Sequence, residues 1–147
     1  MPAIMRLMNK ISRCQTLYRT ENFPHPEISG CHHAFVLAIC HNEGETQEML
    51  AKKLCLNKST VTRTLLYLEE RGFIIRKQNP QDRRALLIYP TEKMLEIYPR
   101  VKEISAEWNR KIADRIPEDD LNTFLSVLIK MAESAEKTVF KREEKGL

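Results

Sequence analysis

The hydrophobic period of this chain changes at Gly72, and that change constrains the fold more than any other feature of the sequence. Before it, apolar residues recur every three or four positions. After it come two β-rich runs, Phe73-Ile74-Ile75-Arg76-Lys77 and Ala85-Leu86-Leu87-Ile88-Tyr89, separated by the turn material Asn79-Pro80-Gln81-Asp82. Two such runs around a turn predict one β-hairpin. An isolated hairpin is marginal in water, so the helical segments on either side must supply its core.

Upstream of the hairpin four helices are expected. In the first, Ile4, Leu7, Met8, Ile11, Cys14, Leu17 and Tyr18 keep helical spacing until Phe23-Pro24-His25-Pro26 breaks it. Ser29 is placed to cap a second helix reaching about residue 41. Thr46 caps a short third one with Met49, Leu50 and Leu54 inward, and Leu56-Asn57 makes a tight turn. Asn57 then caps a fourth over residues 58–71, with Val61, Leu65 and Leu68 on one stripe. Downstream, Thr91 should cap a long helix carrying Met94, Leu95, Tyr98, Val101, Ile104, Trp108 and Ile112, which Pro99 should kink or split. Pro117 can open a last helix with Leu121, Phe124, Leu125, Leu128 and Val139 on one face, before a charged tail over 141–147 that is expected to fray.

A chain of 147 residues suits one domain, 1–147. Two short helices around a tight turn, followed by a hairpin, make a winged helix-turn-helix core over residues 28–91, so the expected fold class is mainly α with one β-hairpin. The 24 basic against 20 acidic residues leave a net charge of only +4. The placement of charge must therefore carry the functional argument. The apolar stripe of the fourth helix faces a core; Ser59 and Arg63 lie opposite with Thr60 on a flank, and the N-terminal end as a whole offers Lys58, Ser59, Thr60, Thr62 and Arg63. Short hydroxyls and a long bidentate donor on one helix match the edges of a major groove. Arg76 and Lys77 lie on the leading strand, and Arg83 and Arg84 sit by the hairpin turn, where guanidinium groups suit the minor groove. Asp82 beside them is expected to structure the wing by pairing with an arginine. Such a chain would bind double-stranded DNA.

These residues resemble the MarR family of bacterial regulators. The segment 46–54 is similar to the first helix of that family's motif and Asn57-Lys58-Ser59-Thr60-Val61-Thr62-Arg63 to its recognition helix. Leu68-Glu69-Glu70-Arg71-Gly72-Phe73-Ile74 resembles the lead-in to its wing. Asn79-Pro80-Gln81-Asp82-Arg83-Arg84-Ala85, followed by Ile88 and Thr91, resembles the wing signature itself; Pro90 and Met94 depart from it, where the family has Leu and Gly. The resemblance implies a homodimer in which residues 1–27 and 92–147 are dimerisation helices and two recognition helices address a pseudo-palindromic operator about one helical turn apart. The wide apolar faces of the first and last helices point the same way, since a core of this size cannot cover them.

The resemblance also implies a repressor released by a ligand or by thiol oxidation. A small aromatic or lipophilic effector would sit near His32, His33, Phe35, Tyr98 and Trp108. Cys14, in Cys14-Gln15-Thr16-Leu17-Tyr18, resembles the first-helix cysteine of peroxide-sensing members, and a redox role needs an accessible, activated thiol. The four cysteines form no C-x-x-C pair, and adjacent His32 and His33 point to different faces of a helix, so no metal and no cofactor are expected. No leader-like or membrane-spanning run is visible, which reads as a cytoplasmic protein with reduced thiols. No nucleophile elbow, phosphate loop or zinc-protease motif is present, so catalysis is not expected. The competing reading is a winged-helix module that binds protein without DNA readout.

Overall fold

The computed structural model describes residues 2–144, with side chains described over 3–140. In chain order it comprises α1 (Pro2–Asn22), a 3₁₀ turn (Gly30–His32), α2 (His33–His41), β1 (Glu45–Thr46), α3 (Gln47–Leu54), α4 (Lys58–Glu70), β2 (Ile74–Asn79), β3 (Asp82–Pro90), α5 (Glu92–Ala113) and α6 (Glu118–Glu144). The chain divides into two compact units, Met1–Trp108 and Asn109–Leu147, with α5 running across the boundary. The tail expected to fray lies outside the residues whose side chains are described.

The first unit is a winged helix-turn-helix. Its core gathers Ile28 from the loop, Phe35, Val36 and Ile39 from α2, and Leu50 and Ala51 from α3. To these are added Val61, Leu65 and Leu68 from α4, Phe73, Ile74 and Ile88 from the sheet region, and Met94 and Val101 from α5. The helical stripe of α4 and the inward residues of the hairpin thus meet on one another, as their two periods require. The hairpin pairs β2 with β3 antiparallel, from Ile74↔Pro90 to Asn79↔Asp82, with an irregularity at Gln78/Asn79. A two-residue strand was not expected: β1 pairs Glu45 with Ile88 and Thr46 with Leu87, giving the order β1-β3-β2. The start of α3 is thereby fixed on the sheet.

Capping explains the short elements. Thr46 Oγ1 accepts from Met49 N at 3.2 Å and Asn57 Oδ1 from Thr60 N at 2.8 Å, each closing a helix start as expected. Gly72 holds φ +77° at the stop of α4, a left-handed conformation that needs no Cβ. Gly30 is required for a different reason. A Cβ there would stand 2.2 Å from the carbonyl oxygen of Thr16, so only glycine lets the 3₁₀ turn approach α1. There Gly30 N donates to Thr20 Oγ1 at 2.9 Å.

Several expectations are corrected. Met49, expected inward, is 54% exposed, while Leu50 is buried as expected and Ala51 joins it. The second helix begins as the 3₁₀ turn, and α2 proper starts only at His33. Pro99 does not split α5, the helix being continuous from Glu92 to Ala113. Thr91 does not cap α5 with its hydroxyl. That group donates to the Gly72 carbonyl at 2.6 Å and the Phe73 carbonyl at 3.1 Å, tying the end of β3 to the stop of α4.

The second unit comprises the end of α5 and α6. The first turn of α6 carries Glu118, Asp119 and Asp120, which complement the positive end of the helix dipole, and Leu121 N donates to Pro117 O at 3.0 Å. Phe124, Leu125, Val127, Ile129 and Val139 are all exposed along α6.

Candidate nucleic-acid interface

The exposed side of α4 is built by its cap. Asn57 Oδ1 accepts from both Thr60 N and Ser59 Oγ, the latter at 2.9 Å. The Ser59 proton is thereby committed, and its oxygen faces solvent as an acceptor. Lys58 and Arg63 are exposed, and their side chains form no hydrogen bond or ion pair among the described residues. Two exposed cations without partners among the described residues, five positions apart on the first half of α4, suit an anionic duplex.

Thr62 and Arg76 are placed differently from Lys58 and Arg63. The Thr62 hydroxyl donates to Lys58 O at 2.8 Å and accepts from Gln47 Nε2 at 2.5 Å, so both its functions are used within the protein. Arg76 is 18% exposed in its side chain; its Nε lies 3.1 Å from Glu69 Oε2, and Nη1 donates to Gln47 Oε1 at 3.2 Å. The Nε contact is an ion pair by proximity, not a hydrogen bond, since Nε has no aligned partner. Arg76 thus fastens the root of the wing to α4 and α3.

The wing tip keeps its charge outward. Arg83 and Arg84 are exposed, and neither guanidinium has a partner among the described residues. Against expectation, Asp82 does not pair with an arginine side chain among the described residues. Its Oδ1 accepts from the backbone N of Arg84 at 3.0 Å, and Asn79 Oδ1 likewise accepts from Gln81 N at 3.0 Å. Two side chains bonded to backbone two residues on make a stiff turn and leave both guanidinium groups available. Lys77 lies with its ammonium 5.1 Å from the Tyr89 ring centre, a cation–π arrangement on the sheet.

Behind α4, Tyr67 joins the wing lead-in to the loop before α2. Its hydroxyl donates to Glu27 O at 2.7 Å, and its ring stacks on His32 with centres 4.8 Å apart and lies under the Arg71 guanidinium at 3.6 Å. Lys93 donates to Glu27 Oε1 at 2.9 Å and to Arg71 O at 2.7 Å. The bond from Lys93 holds the Glu27 carboxyl below its ordinary range. No spacing signal marks this cluster in the sequence, because its members are distant along the chain.

The residues assigned to an effector site are distributed. Phe35 and His33 belong to the core, while Trp108 packs on Tyr18 with ring centres 5.3 Å apart. No ring contact among the described residues joins the histidines to Tyr98 or Trp108. His33 is wholly buried, and neither ring nitrogen has a partner. Burial, helped by the neighbouring Arg19 charge and His32, lowers its pKa to about 4. Arg19 Nε is likewise buried and unpartnered. Cys14 is exposed with no charged partner among the described residues, whereas burial beside Glu43 pushes the Cys40 thiol up to about 11. The described residues contain no group of three or more His, Cys, Asp or Glu arranged to hold a metal ion.

Comparison with known proteins decides the relationship. A family model for the MarR family matches residues 32–86, from the turn before α2 into β3. That segment is a MarR-family domain. Solved structures of transcription regulators are similar over nearly the whole chain. A SlyA-like transcription regulator from Listeria monocytogenes is 26% identical with a TM-score of 0.90, covering 96% of this chain and 94% of that one. A MarR-family regulator from the same organism, crystallised with a 26-mer DNA, is also 26% identical, with a TM-score of 0.88 over the same shares. Among curated relatives, the regulator YybA of Bacillus subtilis is 26% identical over 99 residues, 67% of this chain and 66% of YybA. BilQ of Clostridioides difficile is 37% identical over 78 residues, 53% of each chain. The matches therefore span half to two thirds of these two relatives.

Proposed function

We propose that this MarR-family protein is a homodimeric transcription regulator that reads double-stranded DNA with α4 and the β2–β3 wing. One observation carries the reading: Lys58 and Arg63 on α4, and Arg83 and Arg84 on the wing, are exposed cations without internal partners, each on an element held stiffly by caps. Arg63 supplies bidentate donors for a guanine edge, Ser59 an acceptor for an exocyclic amino group, and the wing arginines enter the minor groove. The similarity to the Listeria regulator crystallised with a 26-mer DNA supports DNA as the ligand. Binding, not catalysis, is the activity, and a cytoplasmic location follows from it. A second copy covers the exposed apolar residues of α1 (Ile4, Leu7, Ile11, Leu17) and of α6 (Phe124, Leu125, Ile129, Val139). Selection from a pool of random duplexes tests this: the protein should enrich a pseudo-palindrome, and an Arg83→Ala, Arg84→Ala variant should enrich it poorly. Equal enrichment by both, or none by either, refutes the reading.

Repression relieved by a small aromatic or lipophilic anion is the second part of the proposal, favoured by Arg19 Nε and both His33 nitrogens, which are buried without partners. Salicylate titrated against the protein–duplex complex should release it, and Arg19→Ala should abolish that response. Release by oxidation of Cys14 is less favoured, because no cation among the described residues pairs with that exposed thiol.

A further inference from the structure

We propose that Gln47 is a positioning residue for DNA readout, joining the root of the wing to the recognition helix; the inference rests on the duplex-reading function above. Gln47 is the first residue of α3, and its backbone is set by the Thr46 cap and by the pairing of Thr46 with Leu87 on β3. Its amide is gripped at both ends. Arg76 Nη1 on β2 donates to Oε1 at 3.2 Å, and Nε2 donates to Thr62 Oγ1 on α4 at 2.5 Å. Thr62 passes the connection on to Lys58 O at 2.8 Å, and Glu69, on the later half of α4, pairs with Arg76. Wing root, first motif helix and both ends of the recognition helix are thus closed into one ring of polar contacts.

The chemistry requires an amide at this position. One end must accept from a guanidinium. The other must donate, because the Thr62 proton is already committed to the Lys58 carbonyl. A carboxylate would satisfy Arg76 and present a lone pair to a lone pair at Thr62. The back of α4 rests on Val61, Leu65 and Leu68, whose non-directional contacts resist rotation of the helix about its axis only weakly. The directional bond from Gln47 fixes the azimuth of the turn that carries Lys58, Ser59 and Arg63, and fixes it relative to the wing. Base contacts depend on that azimuth, and the attraction of cations to the phosphate backbone hardly does. Loss of Gln47 should therefore lower discrimination between duplexes rather than binding to duplex in general.

The test measures affinity for a selected duplex and for a scrambled one, across a salt series, for the full chain and its variants, with urea midpoints reported for each. Gln47→Ala should lower the selected-to-scrambled ratio about tenfold, the scale of one hydrogen bond's net worth, with an unchanged salt slope. Gln47→Glu, nearly the same shape, should lower it as much. Thr62→Val should match them, Thr62→Ser should restore the wild-type ratio, and Gln47→Ala combined with Thr62→Val should be no worse than either alone. Additive losses, an equal drop on both duplexes, or an unchanged ratio in Gln47→Glu would overturn the proposal. Wild type without preference for any duplex, and indifferent to Arg63→Ala, would remove the DNA-reading function and this inference with it. Wild-type discrimination that Arg63→Ala destroys and Gln47→Ala spares would defeat the inference alone.

Discussion

Cys55 occupies the left-handed region, φ +53°, at the stop of α3, where its backbone N donates to Lys52 O at 3.2 Å. An L-residue there carries about 1–2 kcal/mol of strain that glycine avoids, partly offset by glycine's extra freedom in the unfolded chain. Cys55→Gly should therefore raise stability by up to about 1 kcal/mol in urea melts, and Cys55→Val should lower it. His33 gives the second residue-scale prediction. With a pKa of about 4 in the folded protein, it stays neutral where the unfolded chain, with an ordinary histidine pKa, takes up a proton. Its contribution is intact above about pH 6.5 and declines as pH falls towards 4, by about 2 kcal/mol at pH 5. A urea midpoint measured at pH 7.5 and pH 5 should fall accordingly, and His33→Leu should flatten that dependence.

At the scale of elements, α4 and the wing were legible in the sequence because their signals are local. Asn57 before the helix, Gly72 after it, the stripe Val61-Leu65-Leu68 and the switch to β-rich runs each act within a few residues. What was not legible depends on contacts between elements. The strand Glu45–Thr46 is too short to show a period and exists because β3 offers it an edge. Thr62 and Arg76 have the chemistry of DNA contacts, yet Gln47 and Glu69, 15 and 7 residues away in sequence, take up their polar atoms. The Met49 face was misread because the period of an eight-residue helix fixes its inward side poorly. The wing tip, held by Asp82 and Asn79 through backbone bonds, presents two unpaired arginines. Replacing Arg83 and Arg84 with Ala should reduce the slope of log affinity against log salt by about 1.8 per protomer if each neutralises one phosphate. A filter-binding series at three salt concentrations measures it, and an unchanged slope would place the wing away from the duplex.

For the whole molecule, the unfinished surface is apolar. Leu17 is 63% exposed on α1 and Val139 63% exposed on α6, and each lies on a stripe that continues along its helix. A monomer would carry these faces in water, where patches of such extent promote association. The protein should sediment as a dimer, and Leu125→Glu should shift it towards monomer and weaken duplex binding, because only two linked recognition helices engage two half-sites together. No described helix is long and apolar enough to cross a membrane.

The most direct measurement is a hydroxyl-radical footprint of the selected duplex bound by the full chain and by its Arg83→Ala, Arg84→Ala variant. The account predicts two protected segments with centres about 10 base pairs apart, each flanked by a weaker minor-groove protection that the variant loses. A single protected segment, or flanking protections that persist without the two arginines, would contradict it.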